Sequence, residues 1–192
     1  MQGCAFRCAL VFSGAGGVQM FKTMIAVRSV CDITPQILRS MGVRGLLLDI
    51  DNTLTTHDNP KPADGVLDWI AEMKKAGIRM RLVSNNHEPR VRPFAEMLGI
   101  PCVCESLKPL SRGFITAMKE MHLPKESLCV IGDQIYTDIW GANLFGVKSI
   151  YVRPMQKETW KGHEFLCIKR VLEVPFLPKE YQYLPAKIKK ES

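Results

Sequence analysis

What this chain lacks narrows its class before any motif is read. No run approaches the roughly 18–20 consecutive apolar residues that a membrane-spanning helix requires, so no transmembrane segment is expected. No acidic residue precedes Asp32, and Arg7, Lys22 and Arg28 are the only charges in that stretch. Residues 8–12 are too short an apolar run for a secretory signal. An acid-free, arginine-bearing leader has the character of a mitochondrial transit peptide; the plainer alternative starts the protein at Met20 or Met24 and leaves residues 1–19 as an extension. The seven cysteines (4, 8, 31, 102, 104, 129 and 167) form an odd set without paired CxxC spacing. Neither a disulfide framework nor a zinc ribbon is therefore indicated, and the chain reads as reduced and intracellular. Cys102 and Cys104 alternate along a short strand and read as buried core thiols.

What remains is an ordinary globular composition, 46% hydrophobic and 23% charged over 192 residues, enough for one sizeable core. From residue 43 onward, short apolar runs alternate with helical patterns, which predicts an α/β fold with a doubly wound parallel sheet in three layers. The expected strands are 45–50, 78–83, 100–104, 128–131 and 147–152, and the expected helices 63–76, 88–98, 110–122 and 135–145. Gly77, Gly99 and Gly146 are expected to end three of these helices. Every interval is filled by one helix and its loops, so no large cap domain is expected between the strands. Residues 1–28 read as a leader, 29–153 as the folded domain, and 154–192 as a basic tail packing on or extending it.

The strongest chemical signal is LLLDIDNTL, residues 46–54. Side chains alternate along a strand, so Asp49 and Asp51 can both address the crevice at its carboxyl end, where open α/β sheets bind ligands. Two close carboxylates repel unless a cation joins them, and hard oxygen ligands of this kind suit Mg²⁺. A second acidic pair lies in VIGDQIYTD: Asp133 ends the fourth expected strand, and one turn of helix would return Asp138 to the same loop. Ser84, in LVSNN, and Lys108, in SLKP, follow the two strands between these pairs; a hydroxyl and an ammonium both suit phosphoryl oxygens. Singly, each of these residues is equally a helix cap, a turn former or a surface charge. His57, Asp58, His87 and Glu88 flank the motifs and read as loop residues or caps, and Trp69, Trp140 and Trp160 as core or partly buried aromatics.

The ordered set Asp-x-Asp-x-Thr, Ser, Lys-Pro and Gly-Asp-x-x-x-x-Asp resembles the haloacid dehalogenase superfamily over roughly residues 43–153. More narrowly, DIDNTL with VSNN, KP and GDQIYTD, preceded by SVCDITPQILRSMGVRG, resembles the YqeG branch of its class III phosphatases, which includes phosphatidylglycerophosphate phosphatases. The resemblance implies a phosphatase with Asp49 as nucleophile and Asp51 as general acid and later base. It implies Mg²⁺ held by Asp49, the backbone carbonyl of Asp51 and Asp133, with Asp138 in support, and substrate contacts from Thr53, Ser84, Asn85 and Lys108.

The formal charge of +7 favours an anionic partner. The resemblance points to a phosphate ester, in particular phosphatidylglycerophosphate at a membrane surface, with basic leader residues near Phe21, Met24 and Ile25 at the bilayer. Nucleic acid is not the expected partner, yet a nucleotide or nucleic-acid-end phosphatase remains the alternative, as does a non-catalytic phosphate-binding partner protein. The expected location is cytoplasmic and peripheral at the membrane, or the mitochondrial matrix if the source is eukaryotic.

Overall fold

The continuous apolar run ahead of Asp49 becomes a central strand because both of its faces are covered. In the computed structural model, which describes residues 23, 25–57, 59–156 and 164–178, the strands are β1 (Ile25–Val27), β2 (Gly45–Leu48), β3 (Arg79–Val83), β4 (Cys102–Val103), β5 (Leu128–Gly132) and β6 (Lys148–Val152). They pair in parallel in the order β1-β6-β5-β2-β3-β4. The helices are α1 (Pro35–Ser40), α2 (Val66–Lys75), α3 (Glu88–Leu98), α4 (Arg112–Met121), α5 (Trp140–Phe145) and α6 (Glu164–Glu173).

Pleating sends Leu46 and Leu48 to one face, where they join a core with Trp69 and Met73 of α2 and Phe94 and Leu98 of α3. Leu47 goes to the other face, with Phe114 and Ala117 of α4 and Phe145 of α5. β5 repeats the alternation, Cys129 and Ile131 against Leu128 and Val130. The result is the expected three-layer, doubly wound sheet. Among the described residues no folded unit is inserted between its strands.

The chain winds outward from β2 through β3 to β4, crosses back to β5, and then winds the other way through β6. β2 and β5 are therefore neighbours whose connections leave in opposite directions, which opens a crevice at their carboxyl ends. The amide of Asp49 donates to the carbonyl of Ile131 at 2.9 Å, so the ladder runs to the edge of that crevice.

Three features differ from the sequence expectation. β1 lies inside the stretch expected to be a leader, and the sheet thus begins before residue 29. Three residues are too few to show a strand period, and the edge position is secured by a side chain: the Thr23 hydroxyl donates to Ile25 and Ser149 carbonyls and accepts from the Tyr151 amide. Ile25 is consequently a strand residue and not part of an interfacial helix; Phe21 and Met24 lie outside the described residues. Second, the helix expected over 135–145 is divided into a π-helix, Ile135–Ile139, and α5. Third, the tail beyond 153, for which no helix was expected, contains α6, whose Arg170 donates to the Asp133 carbonyl just after β5. Gly99 and Gly146 end α3 and α5 with φ of 57° and 74°, the left-handed caps that were expected.

Trp69 ties α2 to the segment before β2, its indole donating to the carbonyl of Ile33 at 2.8 Å with the ring 1% exposed. Trp69→Phe keeps the ring volume close and strands that carbonyl, so it is expected to cost about 1–3 kcal/mol in urea unfolding, with the circular dichroism spectrum unchanged.

Candidate active site

Three of the four motifs, separated by up to about ninety residues, meet in one buried cluster at the β2–β5 crevice. Lys108 Nζ sits 2.5 Å from Asp49 Oδ1 and 2.7 Å from Asp138 Oδ1. Asp133 completes the group: one oxygen from each of Asp49, Asp133 and Asp138 lies within 4.8 Å of the others. All three aspartates and Lys108 are buried. Three carboxylate oxygens so close, at the end of two adjacent strands, fit a hard divalent cation, because such a cation accepts oxygen ligands and removes their mutual repulsion.

The electrostatics agree with that fit. Burial raises the Asp49 carboxyl to about 7, against the opposing pull of Lys108, and Asp138 and Asp51 push it further up. Burial likewise raises Asp133 well above the ordinary carboxylate range, opposed by Arg170 and reinforced by Asp49 and Asp138. Burial works against the Lys108 ammonium, but Asp138 and Asp49 outweigh it and keep the lysine protonated.

Local structure explains how the cluster is assembled. A Cβ on Gly132 would lie 2.4–2.6 Å from the Asp138 side chain, so only glycine lets that aspartate fold back onto the strand end. The Gln134 carbonyl accepts from the Asp138 amide (3.0 Å), as in an α-turn, and from the Ile139 amide (3.3 Å), where the π-helix begins, while Asp138 Oδ2 accepts from the Gln134 amide (3.1 Å). The loop bearing Lys108 is held by Asn85: its Oδ1 accepts from the Lys108 amide (2.7 Å) and the Ser106 hydroxyl (2.9 Å), and its Nδ2 donates to the Lys108 carbonyl (3.0 Å). The Asn85 side chain is thus committed to placing Lys108, not turned to a substrate. Ser84, 2% exposed, ends β3 and its hydroxyl accepts from the Asn86 amide at 3.1 Å. Thr53, expected at the substrate, is fully buried, with its hydroxyl 3.4 Å from Asp133 Oδ1. Asp51 stands apart from the three-aspartate cluster. Asn86 Nδ2 donates to its Oδ2 at 2.6 Å, and Arg90 Nη2 to its Oδ1 at 3.0 Å.

Sequence reasoning passed over Asn86, Arg90 and Arg170. Arg90 stands on the first turn of α3, and the nearness of that turn to Asp51 follows only from the fold. Arg170, on α6, donates to the carbonyl and to Oδ2 of Asp133, the former at 2.6 Å. Glu173 accepts from Arg170 (3.1 Å) and from the Tyr136 amide (3.1 Å), and Lys169 Nζ donates to the Gln134 side chain at 2.6 Å. Nothing in a tail rich in proline and lysine marked one arginine as the partner of a buried aspartate. Cys102 and Cys104, by contrast, pack against the core with sulfurs 3.8 Å apart, and burial raises the Cys104 thiol to about 11, which suits an inert core thiol.

Comparison with known proteins agrees with this arrangement. Residues 47–146 match the haloacid dehalogenase-like hydrolase family. The chain is 42% identical to the probable phosphatase YqeG of Bacillus subtilis over 129 residues, 67% of this chain and 75% of that one. It is 27% identical over 166 residues, 81% of its length, to the chloroplastic phosphatidylglycerophosphate phosphatase 1 of Chlamydomonas reinhardtii, of which it spans 61%. Among solved structures, an uncharacterized protein from Listeria monocytogenes serotype 4b shares the fold, with a TM-score of 0.51 at 17% identity, over 60% of this chain and 84% of that one.

Carboxyls raised by burial stabilise the fold while protonated and lose that contribution as pH rises from about 4 through about 7. A divalent cation binds the ionised cluster, so it is expected to raise Tm more at about pH 7.5 than at about pH 5 in thermal melts, and Gly132→Ala, which displaces Asp138, should lose that rise. Because Arg170 fixes Asp133 from behind, Arg170→Ala is expected to weaken divalent-cation binding about 10–100-fold by calorimetry, with Arg170→Lys intermediate.

Proposed function

Because this chain belongs to the haloacid dehalogenase-like hydrolases and is a phosphatase, we propose that Asp49 carries the phosphoryl group in a covalent intermediate, that Mg²⁺ is the resident cation, and that the substrate is a lipid phosphate monoester. The observation that carries the mechanism is the buried Lys108 ammonium shared by Asp49 and Asp138 beside Asp133.

Lys108 holds one carboxylate oxygen of Asp49, and the other attacks phosphorus. The bond from phosphorus to the alcohol oxygen breaks with its electron pair, and Asp51 supplies the proton that the leaving oxygen takes. Water then attacks the aspartyl-phosphate, gives its proton to Asp51, and the phosphorus–Asp49 bond breaks to return the carboxylate and release inorganic phosphate. Lys108 and the Ser84 hydroxyl would donate to the phosphoryl oxygens as these gather charge. Asp49, Asp133, Asp138 and the Asp51 carbonyl would hold Mg²⁺, which when bound offsets the charge of those oxygens. Arg90 and Asn86 hold the Asp51 side chain in place, close to Asp49 in sequence, so its carboxyl keeps one orientation through both halves of the reaction.

Three observations support the lipid substrate. The Chlamydomonas relative is named for phosphatidylglycerophosphate. Among the described residues no inserted unit roofs the crevice, so a phosphate at the edge of a large assembly has access. The net charge of +7 favours an anionic surface. Localisation at a membrane would be peripheral, since no helix of the described residues is long and apolar enough to cross one.

Phosphate release from phosphatidylglycerophosphate vesicles, nucleotides and phosphorylated oligonucleotides, with Mg²⁺ or with chelator, tests the proposal. Asp49→Asn is expected to abolish release and the acid-stable phosphoenzyme. Asp51→Asn is expected to lower turnover about 10²–10⁴-fold. Preference for a soluble nucleotide would overturn the lipid assignment and leave the mechanism standing.

A further inference from the structure

Helix α6 is built inside out. Its inward line is Cys167, Arg170 and Glu173, spaced three residues apart, the first and last buried and Arg170 half-buried, with the two charged members bonded to Asp133 and Tyr136. Its solvent line is Ile168, Val171 and Leu172, exposed by 51%, 61% and 58%, and Val174, just beyond the helix, continues it at 60%. A water-facing helix ordinarily shows the reverse polarity. The charged face is accounted for by the acidic cluster; the apolar face has no such account in a chain standing in water.

The position of this face narrows what covers it. Arg170 attaches α6 to Asp133, and Tyr136 donates to the Leu172 carbonyl at 2.9 Å, so the exposed apolar line is fastened to the rim of the reaction crevice. Leu107 and Leu110, which bracket Lys108, are also exposed, by 52% and 61%, and add apolar surface to the same rim. The flanking sequence is net basic: Lys157 and Lys161 against Glu158 precede α6, and Lys179, Lys187, Lys189 and Lys190 against Glu180 and Glu191 follow it. An exposed apolar face in a stretch of chain whose sequence is net basic has the two components that the boundary of an anionic bilayer takes up, acyl chains the first and headgroups the second.

We propose that the outer face of α6, together with Leu107 and Leu110, docks this enzyme on an anionic lipid bilayer with the Asp49 crevice turned to the headgroups. The proposal rests on the lipid phosphate ester of the preceding section and adds the surface by which that substrate is reached. Since the inner face of the same helix holds Asp133, docking and the acidic cluster share one element.

The test is co-sedimentation of the full chain with phosphatidylcholine vesicles, with and without phosphatidylglycerol, alongside turnover of soluble para-nitrophenyl phosphate. The wild type is expected to sediment with the phosphatidylglycerol vesicles. The double substitution Ile168→Glu and Val171→Glu, both outside the reaction machinery, is expected to weaken that binding at least about tenfold, and Val171→Trp to strengthen it, with soluble-ester turnover unchanged in both. Hydrogen exchange in α6 is expected to slow when vesicles are added. Vesicle binding indifferent to all these substitutions would overturn the proposal. So would a dimer dispersed by Val171→Glu, which would make a second copy the occupant, or protection of α6 that is already complete without lipid. Failure to hydrolyse any phosphate ester would sink the preceding section's reading while leaving the vesicle result to judge this one.

Discussion

The ammonium of Lys108, buried between Asp49 and Asp138, is the constraint around which this structure is arranged. A buried lysine and several buried carboxylates are each costly to desolvate, and the cost is offset only when geometry brings them within hydrogen-bond distance. The features that look idiosyncratic serve that geometry. Asn85 spends its side chain on the loop that carries Lys108, Gly132 is bare so that Asp138 can return, and the Gln134 amide donates to the returned carboxylate. The sheet contributes by placing β2 and β5 side by side at the switch in winding direction, so that Asp49 and Asp133 emerge together.

The cluster is held from two sides. Lys108 approaches from the loop after β4 and Arg170 from α6, and the two cations face three aspartates whose repulsion would otherwise open the crevice. Such an arrangement keeps carboxylates close without a cation present and leaves oxygens for one when it arrives. It also makes the segment beyond residue 153 part of the catalytic body. A boundary drawn where the strand–helix alternation stops would remove Arg170 and Glu173 from the site they complete.

Much of the acidic and basic cluster was legible because its chemistry is local. Asp49 and Asp51 follow an apolar strand, Asp133 follows another, and the five-residue spacing to Asp138 spans one helical turn, its amide bonding the Gln134 carbonyl. Asn85 and Thr53 were expected at the substrate; the structure turns the amide of one to a loop twenty-three residues away and the hydroxyl of the other to Asp133. Arg90 and Arg170 were illegible. An arginine on a helix face or in a basic tail carries no mark of its partner, since the long side chain serves equally well in water.

By itself, the sequence determined the period of the elements, the parallel α/β class, and the identity and order of the acidic and basic groups that phosphoryl transfer requires. These are set by side-chain alternation and by residue chemistry, both of which act over a few neighbours. Tertiary structure alone decided that β1 extends the sheet, that Arg90 pairs with Asp51, and that α6 turns its charges inward and its apolar side chains out. Each of those facts depends on which surfaces meet across long stretches of chain, and a helix whose polarity is inverted becomes visible only once the acidic cluster that attracts its charged face has been assembled.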